Sequence, residues 1–185
     1  MSTRSMIAIK NEDGTYTGIY CQSDGYISNN GIILDKYYTD RSKVQRLIDL
    51  GAISFLGQQP EPDKYIQKYG FIMDNKEFHQ LSGAEQSRII ENTIGTQAYH
   101  RDRGEDFEQT HAKTLHKLVQ AAQASWCEYV YAFKPDNKGR YAWYVNGLCI
   151  TPGAWVSGCA DAAIEYDMTA GRWYKLANCV ACVEY

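Results

Sequence analysis

The run MIAIKNEDGTYTGIYC, Met6 to Cys21, sets the architecture of the chain. Met6–Lys10 and Thr15–Cys21 are rich in β-branched and aromatic residues and are separated by NEDG. Asp13-Gly14 supplies residues that tolerate the turn conformations a tight reversal needs, so the run predicts an opening β-hairpin. Beyond the loop SDGYISNNG, Ile33, Leu34, Tyr37 and Tyr38 recur at helical spacing. Asp40 then stands where a helix N-cap is wanted, ahead of the apolar face Val44, Leu47 and Ile48, and Gly51 follows where a helix end favours positive φ.

Further along, LGQQPEPDKY reads as a connector, and GFIMDNKEFHQL fits a strand or a loop. Ser82 and Glu85 form a capping-box pattern before Ile89, Ile90 and Ile94. Ala112, Leu115, Leu118, Val119 and Ala122 predict another amphipathic helix. CEYVYAF and RYAWYV, joined by KPDNKG, predict a central hairpin; Ala162–Tyr185 reads as two or three more strands turning at TAG. The expected fold is therefore α+β: a small antiparallel sheet, made of the N-terminal and central hairpins, packed with three to four helices. Residues 1–147 form the main domain, and 148–185 a β-rich C-terminal extension packed on it.

The bulk properties narrow the function classes. With 185 residues, 44% hydrophobic and 22% charged, the chain can build one packed domain. Its net charge of −3 provides no overall basic field of the kind a dedicated duplex binder uses to displace counterions. No apolar run approaches the roughly 20 residues that span a bilayer. The start MSTRSMIAIKNEDG lacks the apolar segment of a signal peptide. The expectation is a cytoplasmic protein with no membrane contact and no disulfides among its six cysteines. Tyrosine is abundant, at 15 residues, and suits half-exposed sheets and contact surfaces.

The densest charge lies in AYHRDRGEDF, Ala98–Phe107. His100-Arg101-Asp102 resembles a kinase catalytic loop in three letters, but no DFG and no glycine-rich lid accompany it. Asp102, Glu105 and Asp106 offer oxygen ligands for a hard metal, yet Arg101 and Arg103 stand beside them and neutralise them first. The stretch reads as a self-paired polar loop that doubles as a docking surface. Cys179-x-x-Cys182, with Cys149 and Cys159 upstream, resembles half a zinc site, but nine residues separate the upstream pair. On a strand Cys179 and Cys182 face opposite sides, and all four cysteines are either free or zinc-bound. His111 and His116 are five apart and on one helix would point about 140° away from each other, so they read as surface histidines. GRYAWY and GRWYK interleave cations with aromatics. Arg140, Tyr141, Trp143, Arg172, Trp173 and Lys175 are thus a candidate platform for single-stranded nucleic acid.

Two N-terminal segments, residues 1–34 and YYTDRSKVQRLIDLGAISFLG, together with TQAYHRDRGEDFE and WCEYVYAFKPDNKGRYAWYVNG, resemble a widespread family of small phage and prophage proteins. The likeness covers residues 1–147. Gln22-Ser23 departs from it, because the resemblance predicts histidine and tryptophan before Asp24-Gly25-Tyr26. The resemblance implies an accessory protein of a mobile element that manages the host, in the manner of proteins that block CRISPR nucleases. That fits the residues themselves, in which no catalytic set, cofactor site or metal site is read. The expected partner is a host defence protein such as a CRISPR nuclease with its guide RNA. Arg101, Asp102, Arg103, Glu105 and Asp106 would contact it, with Tyr20, Asp24 and Tyr26 as a second patch. The alternatives are a single-stranded nucleic-acid binder of phage replication and a small metal-dependent enzyme.

Overall fold

Strand β1 (Ser5–Lys10) is apolar on both faces, Ile7 and Ile9 pointing one way and Met6 and Ala8 the other, and all four are buried. A strand of that pattern belongs in the middle of a sheet covered on both sides. In the computed structural model, which describes residues 3–148 and 172–183, it sits there. It pairs antiparallel with β2 (Tyr16–Cys21) across the predicted hairpin. Gly14 takes φ +88° in the turn, and Asn11 N–H donates to the Thr15 carbonyl at 2.8 Å.

The remaining strands are β3 (Ile53–Phe55), β4 (Gln97–Ala98), β5 (Thr110–Ala112), β6 (Tyr129–Pro135), β7 (Tyr141–Gly147) and β8 (Tyr174–Lys175). The sheet order is β4-β3-β2-β1-β6-β7-β8, with β5 also pairing the first half of β2. β1 and β6 run parallel, as do β2 and β3. The α+β class holds. The sheet, however, is mixed and eight-stranded rather than small and antiparallel, because the two predicted hairpins join through the parallel β1–β6 pair.

Eight α-helices occur among the described residues: α1 (Ile32–Tyr37), α2 (Arg41–Ile48), α3 (Lys64–Tyr69), α4 (Lys76–His79), α5 (Gly83–Asn92), α6 (Tyr99–Arg103), α7 (Leu115–Ala124) and α8 (Leu176–Val183). That is more than the three or four expected, since short turns too brief to show periodicity are helical. GFIMDNKEFHQL, for one, folds into a 3₁₀ turn at Ile72–Asp74 and then α4. Both predicted N-caps are present. Asp40 accepts from Ser42 N–H and Lys43 N–H, and Ser82 and Glu85 close a complete capping box on α5.

On one face of the sheet Ile7, Ile9, Ile19, Tyr131, Phe133, Trp143 and Val145 meet Leu34, Tyr38, Val44, Leu47 and Leu176. On the other, Met6, Ala8, Tyr16 and Val130 meet Leu118 and Ala122 of α7. Helix and sheet approach closely there: a Cβ on Gly18 would lie 3.2 Å from Leu118 Cδ1. Ile66, Tyr69, Ile72, Phe78 and Ile89 form a separate small cluster under the helices of residues 64–92.

Two assignments are corrected. Ala112 belongs to β5, not to the helix that begins at Leu115. The run LANCVACV, expected as strand, is α8. Leu176, Cys179 and Val180 recur at helical spacing and are buried in the main core, which a short apolar run by itself does not reveal. Of the extension expected to be β-rich, the described residues comprise β8, paired to β7, and α8. The predicted turn at TAG lies outside them, as do Cys149 and Cys159.

Candidate functional site

β4 delivers the chain directly into α6, so the charged decapeptide is a strand end, a single turn of helix and a loop. Gly104, at φ +75°, stops the helix in the left-handed conformation that favours glycine. Asp102 folds back onto the start of its own turn, its Oδ2 accepting from Ala98 N–H at 2.8 Å. Arg101 engages both Asp102 oxygens, Nε to Oδ1 at 2.7 Å and Nη2 to Oδ2 at 2.8 Å. Arg101 also donates to the carbonyls of Pro60 (2.8 Å) and Thr96. The Asp102 side chain is only 6% exposed. These two residues, read in the sequence as contact residues, face inward and lock the segment to its neighbours.

Arg103 points the other way. Its Nε meets Asp74 Oδ2 at 2.8 Å, and its Nη1 meets Glu105 Oε1 at 3.1 Å. The guanidinium lies 4.9 Å from the Phe71 ring centre and 6.0 Å from that of Tyr99. Those two rings stack with centroids 5.4 Å apart. His100 Nδ1–H donates to the Glu105 carbonyl at 2.7 Å, and its ring meets Phe107 edge-on.

A cleft of about 300 Å³ opens beside this cluster, lined by Tyr20, Gln22, Tyr99, Arg103, Glu105 and Asp106, with Ala52 and Glu108. Its walls follow from sheet pairing. Tyr20 and Gln22 are two apart on an extended chain and share a face. Gln22 N–H donates to Ile53 O at 3.1 Å, Ala52 N–H to Glu108 O at 3.1 Å, and Tyr99 N–H to Ala52 O at 3.1 Å. The Tyr99 hydroxyl donates to Gln22 Oε1. Burial raises the hydroxyl pKa of both Tyr20 and Tyr99, so both remain neutral donors at physiological pH. Among the described residues no cation pairs with Asp106 or Glu108.

The structure thus joins Tyr20 to Arg103, Glu105 and Asp106, but separates it from Asp24 and Tyr26. Tyr20 packs on the α7 side of the sheet, whereas Tyr26 packs on the opposite core and its hydroxyl donates to Asp24 Oδ1 at 2.7 Å. Gln22, Tyr99, Phe71, Asp74 and Glu108 belong to the site although sequence reasoning did not select them. Gln22 alone carried a signal, through the Gln22-Ser23 pair singled out in the sequence. Tyr99 and Glu108 flank the chosen charges, and only the fold shows which way they point.

The six residues of the candidate nucleic-acid platform do not form one surface. Trp143 is buried, with Nε1–H donating to the Tyr38 carbonyl at 2.8 Å. Tyr141 shares its strand face and lies under Arg41, while Trp173 packs on the opposite core. Lys175 pairs with Tyr144 and so projects with Trp173's side of the sheet, and Arg172 stacks on Tyr174. Arg140 is held by Asp136 at 3.0 Å. His111 lies on β5 with Nδ1 3.3 Å from Thr17 Oγ1, and His116 is on α7; both are exposed. Among the described residues no three or more of His, Cys, Asp and Glu are grouped so as to hold a metal ion. Cys179 is buried in α8 with its thiol toward the Lys175 carbonyl. Cys21 is fully buried, which pushes its thiol up to about 11. No helix among the described residues is long and apolar enough to cross a membrane. No family model, no curated protein and no solved structure matches the chain.

Proposed function

We propose that this protein works by binding. It docks on a host defence nuclease, of the CRISPR-effector kind that the resemblance implies, and occludes a working surface of that enzyme. The observation that supports this reading is the convergence of Tyr20 with Arg103, Glu105 and Asp106 around one cleft, on a segment braced by Arg101 and Asp102. A surface fixed in advance costs less to order on association. Charges at its rim steer the encounter, while the tyrosine rings supply contact area. Mobile elements gain from such a protein because occlusion needs only stoichiometric expression.

The test is expression of the chain in a bacterium with active CRISPR interference, followed by a plaque assay and by affinity capture with mass spectrometry. The expected result is restored plaque formation by a targeted phage and recovery of a defence nuclease in the captured fraction. Unchanged interference, with no defence protein recovered, would refute the proposal.

A further inference from the structure

On the docking reading above, we infer that the cleft receives an arginine or lysine side chain from a basic segment of the partner protein. Charge complementarity is the first argument. The lining holds three carboxylates, Glu105, Asp106 and Glu108, against the single guanidinium of Arg103. Arg103 already takes up Glu105, and among the described residues no ion pair engages the other two acidic residues of the lining, Asp106 and Glu108.

The second argument is that the molecule shows, one step away, how a guanidinium is held here. Arg103 lies over the stacked Phe71 and Tyr99 rings with Asp74 and Glu105 at its edges. Tyr20 and Tyr99 line the same cleft as the acidic residues, so rings and carboxylates stand together there too. Cation–π contact and charge-assisted hydrogen bonding reinforce each other in such a place.

Size is the third. At about 300 Å³ the cleft is at the small end of ligand sites and suits one long side chain. A nucleic-acid strand would instead bring phosphates against carboxylates, with no lysine or arginine besides Arg103 in the lining to receive them. A nuclease has to carry basic grooves for its own nucleic acids, so this cleft is complementary to surfaces that such a partner must expose.

Fluorescence anisotropy with a dye-labelled oligoarginine peptide tests the inference, alongside an oligoglutamate peptide and a short single-stranded oligonucleotide. The proteins are the wild-type chain, the double variant Asp106→Asn/Glu108→Gln, and Glu91→Gln on α5 as a charge control. The expected result is saturable oligoarginine binding that weakens as salt rises and falls about tenfold in the double variant, with Glu91→Gln unchanged. Circular dichroism should show all three proteins equally folded. Equal affinity of wild type and double variant would overturn the inference. So would oligonucleotide binding that the double variant loses, or self-association of the chain that it abolishes. The outcomes separate the two proposals. Peptide binding through the cleft without any effect on interference refutes only the function. Inhibition that survives Asp106→Asn/Glu108→Gln refutes only the cleft chemistry.

Discussion

Arg101 grips the carboxylate of Asp102, its neighbour in sequence, through two near-parallel hydrogen bonds of 2.7 and 2.8 Å. The same guanidinium reaches the Pro60 carbonyl, so one side chain ties α6 to the connector after β3. Asp102→Ala removes the acceptor of the Ala98 amide and the carboxylate partner of Arg101, whose guanidinium keeps only the Pro60 and Thr96 carbonyls. The expected loss is about 2–4 kcal/mol of stability, measured by urea unfolding. Because the cleft lining hangs on this brace, oligoarginine affinity should fall in parallel even though Asp102 does not touch the cleft.

Asp63 holds four backbone amides: Oδ1 accepts from Tyr65 and Ile66 at the start of α3, and Oδ2 from Ile94 and Gly95 beyond α5. Burial alone would raise its pKa, but the four amides outweigh it and hold the carboxyl below the usual aspartate range. A lowered folded-state pKa means the stabilisation is complete above the ordinary aspartate value and disappears as pH falls through the lowered one. Asp63→Asn should therefore cost about 1–3 kcal/mol at neutral pH, and wild type and variant should converge in acid. Urea melts across the acid range would show whether they do.

Gly18 leaves α7 no spare room: Leu118 Cδ1 and Met6 Cγ stand 3.2 and 3.3 Å from where its Cβ would be. Gly18→Val should destabilise the fold by about 1–3 kcal/mol. Leu118→Ala, destabilising by itself, should be partly compensated in the double variant. A double-mutant cycle by thermal or urea unfolding reads the coupling, and strict additivity would contradict the packing described.

Cys21 is enclosed, and its thiol is pushed up to about 11 by burial. Iodoacetamide labelling at neutral pH should leave Cys21 unmodified in the native chain and modify it once denaturant is added, with peptide mass spectrometry locating the label.

Local chemistry made much of this architecture legible. Asp40 and Ser82 announced two helix starts, and Asp13-Gly14 and KPDNKG announced two hairpins, because caps and turns are written within a few residues. The parallel pairing of Ser5 with Tyr129 was not legible, since the partners are far apart in sequence and no short pattern encodes which strands meet. α8 was misread because its apolar residues are too few to tell a helix from a strand. In the candidate site the charged segment was visible, but the direction of each side chain was not. Arg101 and Asp102 turn inward to Pro60, Thr96 and Ala98, while Arg103 and Glu105 line the cleft, and those partners are set by the tertiary fold rather than by the decapeptide.

Binding and bond-making differ most plainly in stoichiometry. DNA cleavage by a purified CRISPR nuclease with its guide RNA, the one recovered by affinity capture, can be titrated with the purified chain. Inhibition by occupation predicts that activity falls in proportion to added protein and reaches its floor near molar equivalence. Complete inactivation by a small fraction of an equivalent would mean that the chain turns over on its target, and would contradict the account.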